Sequence, residues 1–123
     1  MGSVFRELVI DGNDPARLAA FWSEVLGWET VSHEDGYLWM SADGRPDGPG
    51  PILVFVDVPE PKAVKNRIHL DLNPRGCDQA TELERLLALG ARPVDIGQGD
   101  SSWVVLADPE GNEFCLLARR VDD

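Results

Sequence analysis

Asp14-Pro15-Ala16-Arg17-Leu18-Ala19-Ala20-Phe21-Trp22-Ser23-Glu24-Val25-Leu26-Gly27 is the most fully punctuated stretch of the chain. Leu18, Phe21, Trp22, Val25 and Leu26 recur at i, i+3, i+4, i+7 and i+8, the period of a helix with one apolar face. Asp14 is placed to cap its start, Pro15 suits the first helical position, and Gly27 supplies the left-handed residue that ends it. The spacing predicts a helix over about Asp14–Leu26.

The same design returns downstream. A second helix over about Asp78–Leu89 would turn Ala80, Leu83, Leu86 and Leu87 inward and leave Glu82 and Glu84 outward, with Gly90 as its stop. Around both helices the pattern changes to period two or to short apolar runs, which read as strands. They fall near Phe5–Asp11, Trp28–Ser32, Tyr37–Ala42 and Ile52–Val58, then near Arg67–Leu72, Arg92–Ile96, Trp103–Ala107 and Glu113–Ala118. Strand, helix and three strands thus occur twice. Leu26-Gly27 and Leu89-Gly90 are 63 positions apart, and Ala42-Asp43 and Ala107-Asp108 are 65 apart, which fits an internal duplication. Modules of about 3–58 and 67–119 are expected within a single domain, 1–123, joined by a Pro-containing linker, 59–66. The Gly- and Pro-rich segment Asp43–Pro51 reads as a surface loop.

Composition narrows the partners. At 123 residues the chain has one domain's length, and 43% hydrophobic with 27% charged residues suits a soluble globule. Asp and Glu number 22 against 11 Lys and Arg, so a net charge of −11 argues against nucleic acid and anionic membrane surfaces as partners. No apolar run reaches the roughly 20 residues of a spanning helix and no secretory leader is evident, so a cytoplasmic location is expected. Cys77 and Cys115 form no CxxC pair and are expected as reduced thiols.

With its elements placed, the chain resembles the glyoxalase, bleomycin-resistance and extradiol-dioxygenase superfamily, also called the vicinal oxygen chelate superfamily. The resemblance is carried by Asp14–Trp22 running to Leu26-Gly27-Trp28, by Lys65-Asn66-Arg67-Ile68-His69-Leu70-Asp71-Leu72, and by Leu89-Gly90-Ala91 with Asp108-Pro109-Glu110-Gly111-Asn112. It implies an α+β fold of two βαβββ modules forming an open half-barrel, with helices on the convex side. It also implies a small-molecule cleft, frequent homodimers and, in metal-dependent members, a divalent cation held by the first and last strands of the modules.

Residue by residue, the resemblance puts the first ligand position on Glu7, the second-module equivalent on His69 and the final-strand position, usually Glu, on Cys115. The remaining position falls within Ile52-Leu53-Val54-Phe55-Val56, which holds no donor. No metal is therefore favoured. The alternative is a divalent ion, Zn, Ni, Fe or Mn, on Glu7, His69 and Cys115. Alternation sets Glu7, Val9 and Asp11 on one strand face, and Arg67, His69 and Asp71 on another. Glu7, His69 and Asp71 are thereby candidates for metal-free acid–base chemistry, with His69 as the titrating group and a carboxylate orienting it.

Trp39, Phe55 and Trp103, with Arg67 and Cys115, are candidates to line a cleft for an aromatic or amphipathic molecule. His33 reads as a solvated loop residue beside Glu34-Asp35-Gly36, and Gly97-Gln98-Gly99-Asp100 as a hairpin turn. The reading favoured is a small-molecule-binding protein with a degenerate metal site. A divergent lyase, isomerase or dioxygenase is the alternative, and a self-associating module with a vestigial cleft is the third. The apolar run Ile52–Val56 is expected to require cover on both faces, which a homodimer would supply.

Overall fold

The computed structural model describes residues 1–33 and 35–122. Its order is β1 (Leu8–Gly12), α1 (Pro15–Leu26), β2 (Thr30–Ser32), β3 (Leu38–Ser41) and β4 (Ile52–Asp57). These are followed by β5 (Asp71–Leu72), α2 (Gln79–Leu89), β6 (Arg92–Pro93), β7 (Val104–Ala107) and β8 (Glu113–Leu116). This is the α+β arrangement of two βαβββ modules. The chain divides into two compact units, Met1–Pro61 and Lys62–Asp123.

In the first unit the strands are ordered β1-β4-β3-β2, with β1 parallel to β4 and the other pairs antiparallel. The sheet is open. Helix α1 starts where the Asp14 carboxylate accepts the Arg17 N–H at 3.2 Å and ends at left-handed Gly27, φ 71°. It buries Leu18, Ala19, Phe21, Trp22 and Val25, with Phe21 and Trp22 edge to face at 5.3 Å. Leu8 and Ile10 are half-buried while Val9 and Asp11 are exposed, so β1 alternates as its sequence implies.

The strand begins at Leu8, later than expected. Continuing the parallel register one step beyond Glu7 would set Arg6 opposite Pro51, which has no N–H for the ladder. Phe5 is left exposed. Ile52, Leu53, Val54 and Phe55 are all buried within the single chain, so the expected need for a second copy to cover β4 does not arise.

The second unit repeats the plan as β5-β8-β7-β6, with β5 parallel to β8. The Asp78 carboxylate accepts the Thr81 N–H at 2.9 Å to cap α2, and Gly90, φ 115°, ends it. The helix is turned by about one position from the expected stripe. Leu86 is buried, and Gln79, Glu82, Leu83 and Leu89 flank it half-buried at helical spacing, whereas Ala80 and Leu87 are exposed. The Gln79 side chain holds that rotation, its Nε2 donating to the Ser102 and Leu116 carbonyls.

Strand β5 is shorter than expected, because the chain before it is caught by a side chain instead of a ladder. Glu113 Oε1 accepts the Asn66 N–H at 2.8 Å, and Glu113 Oε2 receives Lys62 Nζ at 2.9 Å. Pairing resumes where Cys115 N–H donates to the Leu70 carbonyl and Leu117 N–H to the Leu72 carbonyl. Strand β6 stops early for a similar reason, since Gln98 Oε1 and Asp95 Oδ1 accept the Ile96 and Gly97 N–H groups. No helix among the described residues is long and apolar enough to cross a membrane.

Candidate functional site in the second unit

Register decides which side chains meet. Cys115 lies opposite Asp71 in the parallel pair and opposite Val105 in the antiparallel pair. Residues two positions away share its side of the pleat, which adds His69, Trp103, Glu113 and Leu117. The opposite side carries Phe114, Leu116 and Leu106, all fully buried, with Leu86 of α2 also at zero exposure. One face is core; the other is available where His69, Asp71 and Trp103 stand exposed, while Val105 and Cys115 on the central strands β7 and β8 are buried.

That available face lines a cavity of about 340 Å³. Ile96, Trp103, Val105 and Leu117 form its apolar wall; Lys65, His69, Asp71 and Glu113, with the Cys115 thiol, form its polar part. Trp103 is 42% exposed, an unusual setting for so large an apolar ring outside an interaction surface. His69 Nε2 lies 3.3 Å from Asp71 Oδ1, both side chains about half exposed. The ligand atoms of His69, Asp71 and Cys115 all lie within 4.8 Å of one another.

Electrostatics separates the two acidic-looking groups of β8. Burial pushes the Cys115 thiol up, the Asp71 charge and a hydrogen bond to Asp71 push it the same way, and Lys65 opposes them. The thiol form is favoured without a bound cation. Burial also works to raise the Glu113 carboxyl, yet the Asn66 N–H and the Lys62 ammonium together hold it below its ordinary value. Glu113 is therefore an ionised anchor for the segment that carries Lys65.

The structure brings His69, Asp71, Cys115 and Trp103 together around this cavity. Arg67 does not join them: it is exposed in a bend before β5, so strand alternation does not extend to it. Glu7 stands in the first unit, exposed at the residue before β1. Trp39 is half-buried in β3 on the face shared with Val9 and Val54. Phe55 corrects the expected lining. It pairs with Ile10 and Leu38, on the side opposite Trp39, and is fully buried, so it cannot present its ring to a cleft beside Trp39. Lys65, Ile96, Val105, Glu113 and Leu117 were not anticipated. Parity with Cys115 points to Glu113 and Leu117, whereas Lys65 and Ile96 sit in irregular segments with no periodic signal.

The resemblance to metal-dependent proteins can be tested on donor chemistry. In the first unit β4 offers only apolar side chains from Ile52 to Val56, so a four-donor set at the usual positions is not reproduced. The second unit instead contains one imidazole nitrogen, one carboxylate and one thiol in reach of a common point. This set fits a cation that accepts sulfur better than one that prefers oxygen alone.

Comparisons with known proteins agree with the architecture. The glyoxalase-like domain family matches residues 7–117. Among solved structures, the fosfomycin resistance protein FosX from Mesorhizobium loti superposes with a TM-score of 0.69 at 14% identity, covering 95% of this chain and 92% of that one. A mutant of FosX from Listeria monocytogenes, complexed with Mn(II) and 1S,2S-dihydroxypropylphosphonic acid, gives 0.67 at 16% identity, covering 96% and 91%. A hypothetical protein from S. aureus gives 0.62 at 12%, covering 96% of each chain. These likenesses establish the shared fold. No curated protein matches the sequence.

Proposed function

Since the chain belongs to the glyoxalase-like domain family, we propose that it binds a small organic molecule in the second-unit cavity. The observation that carries this reading is the amphipathic lining. Ile96, Trp103, Val105 and Leu117 offer a wall for a flat apolar portion, while Lys65, His69 and Asp71 offer donors and acceptors for a polar end. A volume of about 340 Å³ suits a small, metabolite-sized compound. The FosX structure with a bound phosphonic acid supports the reading by showing that this fold accommodates small polar ligands.

A second reading has its own observation. The 3.3 Å His69–Asp71 pair faces the cavity, so the carboxylate would fix the imidazole and leave its other nitrogen to exchange a proton with a bound molecule. Binding and turnover separate experimentally. A compound panel screened by thermal shift and tryptophan emission should yield ligands whose emission change disappears in Trp103→Phe and persists in Trp39→Phe. Product formation that survives chelation and is lost in His69→Ala would favour acid–base catalysis. Ligands indifferent to both Trp103→Ala and His69→Ala would refute the assigned cavity.

A further inference from the structure

We propose that Lys65 selects the charge of the molecule taken by the second-unit cavity: a singly charged carboxylate joined to a flat apolar group, with the carboxylate seated on the Lys65 ammonium. This inference rests on the cavity reading above and names the ligand class within it. Most charged groups of the lining are already answered by the protein. Glu113 is held by Lys62 at 2.9 Å and by the Asn66 N–H, and Asp71 faces His69 Nε2 at 3.3 Å and accepts the Cys115 thiol. Lys65 is the one Lys or Arg in the lining. One of its three N–H groups donates to the Asn66 carbonyl at 2.9 Å, and among the described residues it makes no ion pair.

The backbone beneath this lysine is fixed. Lys65 lies between Lys62 and Asn66, both fastened to Glu113 of β8, and its charge reaches the Cys115 thiol, where it opposes the upward push of burial and of Asp71. Trp103 stands at the other end of the face. Continuing the β7–β8 register one step from Val104 and Leu116 sets Trp103 opposite Leu117, four positions after Glu113. Four residues of strand span about 13 Å, and the lysine stem covers part of that length. A ligand that reaches both ends carries its acid on a short arm beyond its ring system.

The number of charges follows from the same lining. A carboxylate meets one ammonium with charge-assisted hydrogen bonds. The second charge of a phosphonate would find no further Lys or Arg in the lining and would approach the carboxylates of Asp71 and Glu113, in a chain of net charge −11. An amine seeking Asp71 would have to displace His69 from it.

Isothermal titration of the full chain compares 2-naphthylacetate with its neutral amide, with 2-(2-naphthyl)ethylamine and with 2-naphthylmethylphosphonate. The carboxylate should bind saturably with a Kd of about 1 mM or tighter, at least ~tenfold tighter than the amide or the amine, and tighter than the phosphonate. Lys65→Met keeps the apolar stem and leaves the Lys62 and Asn66 bonds to Glu113 in place; it should abolish the preference for the carboxylate while the amide binds as before. Lys65→Arg should retain most of that preference. Carboxylate and amide bound alike, both weakened by Trp103→Ala and neither by Lys65→Met, would overturn this inference and leave the cavity reading standing. A tighter amine or phosphonate, or no saturable binding of the carboxylate, would overturn it as well. Binding of all four compounds unchanged by either substitution would refute the cavity itself.

Discussion

Breaking the Lys62–Glu113 pair tests how the site is held. Nζ and Oε2 are 2.9 Å apart with side-chain exposures of 19% and 11%, so the pair is screened far less than a surface ion pair. Glu113 also accepts the Asn66 N–H at 2.8 Å, and the two bonds pin residues 62–66 to β8. Hydrogen bonds to charged groups contribute about 1.5–3 kcal/mol each. Lys62→Met removes one of them and leaves Glu113 charged with a single strong donor, a loss of about 2 kcal/mol. Glu113→Gln keeps the shape but turns an amide N–H toward the ammonium or forfeits the Asn66 bond, a loss of about 2–3 kcal/mol.

The double variant should be less destabilised than the sum by about 1–2 kcal/mol, because the second change no longer strands a partner. Urea unfolding followed by circular dichroism reads all four corners of this cycle. The pH dependence supplies an independent sign. Because the folded Glu113 carboxyl is held below its ordinary value of 4.5, its stabilising contribution is complete above that value and is lost as pH falls through the folded one. The gap between wild type and Glu113→Gln should therefore narrow in acid and be flat above about pH 6. Single losses below about 0.5 kcal/mol that add without coupling would refute the anchoring role.

Other expectations follow from burial and chemistry. Leu86→Ala, at a residue with no exposure in α2, should cost about 2–5 kcal/mol in the same unfolding assay, whereas Leu87→Ala should cost less than about 1 kcal/mol. Asp108→Ala should cost about 3 kcal/mol, since the buried Asp108 carboxylate accepts from the Glu110 and Asn112 N–H groups and the Asn112 side-chain amide. Homodimerisation is proposed from exposed Val4, Phe5 and Val9, and light scattering should give twice the chain mass at high micromolar concentration; a single-chain mass throughout would refute it.

Particular residues show what could be read in advance and why. Helix α1 was legible because cap, apolar period and terminating glycine agreed, and the structure places Asp14 and Gly27 at those ends. The common face of His69 and Asp71 followed from alternation alone. The same rule is silent within Ile52–Val56, where both faces are apolar, so Phe55 could be placed beside Trp39 although the register sets them on opposite sides. In α2, Leu83, Leu86, Leu87 and Leu89 allow two neighbouring stripes, and tertiary bonds from Gln79 to Ser102 and Leu116 select between them. The Glu113 anchor joins residues 51 and 47 positions apart, which no local period encodes.

The claim that the open face of the second sheet binds a small molecule is tested most directly by mapping a panel ligand on ¹⁵N-labelled protein by NMR. Saturable shifts should centre on Ile96, Trp103, Val105, Cys115 and Leu117, including the Trp103 indole N–H, and should bypass Ala19, Val25 and Met40 in the first unit. Saturable binding with shifts confined to the first unit, and with those of the second-sheet face unchanged, would contradict it.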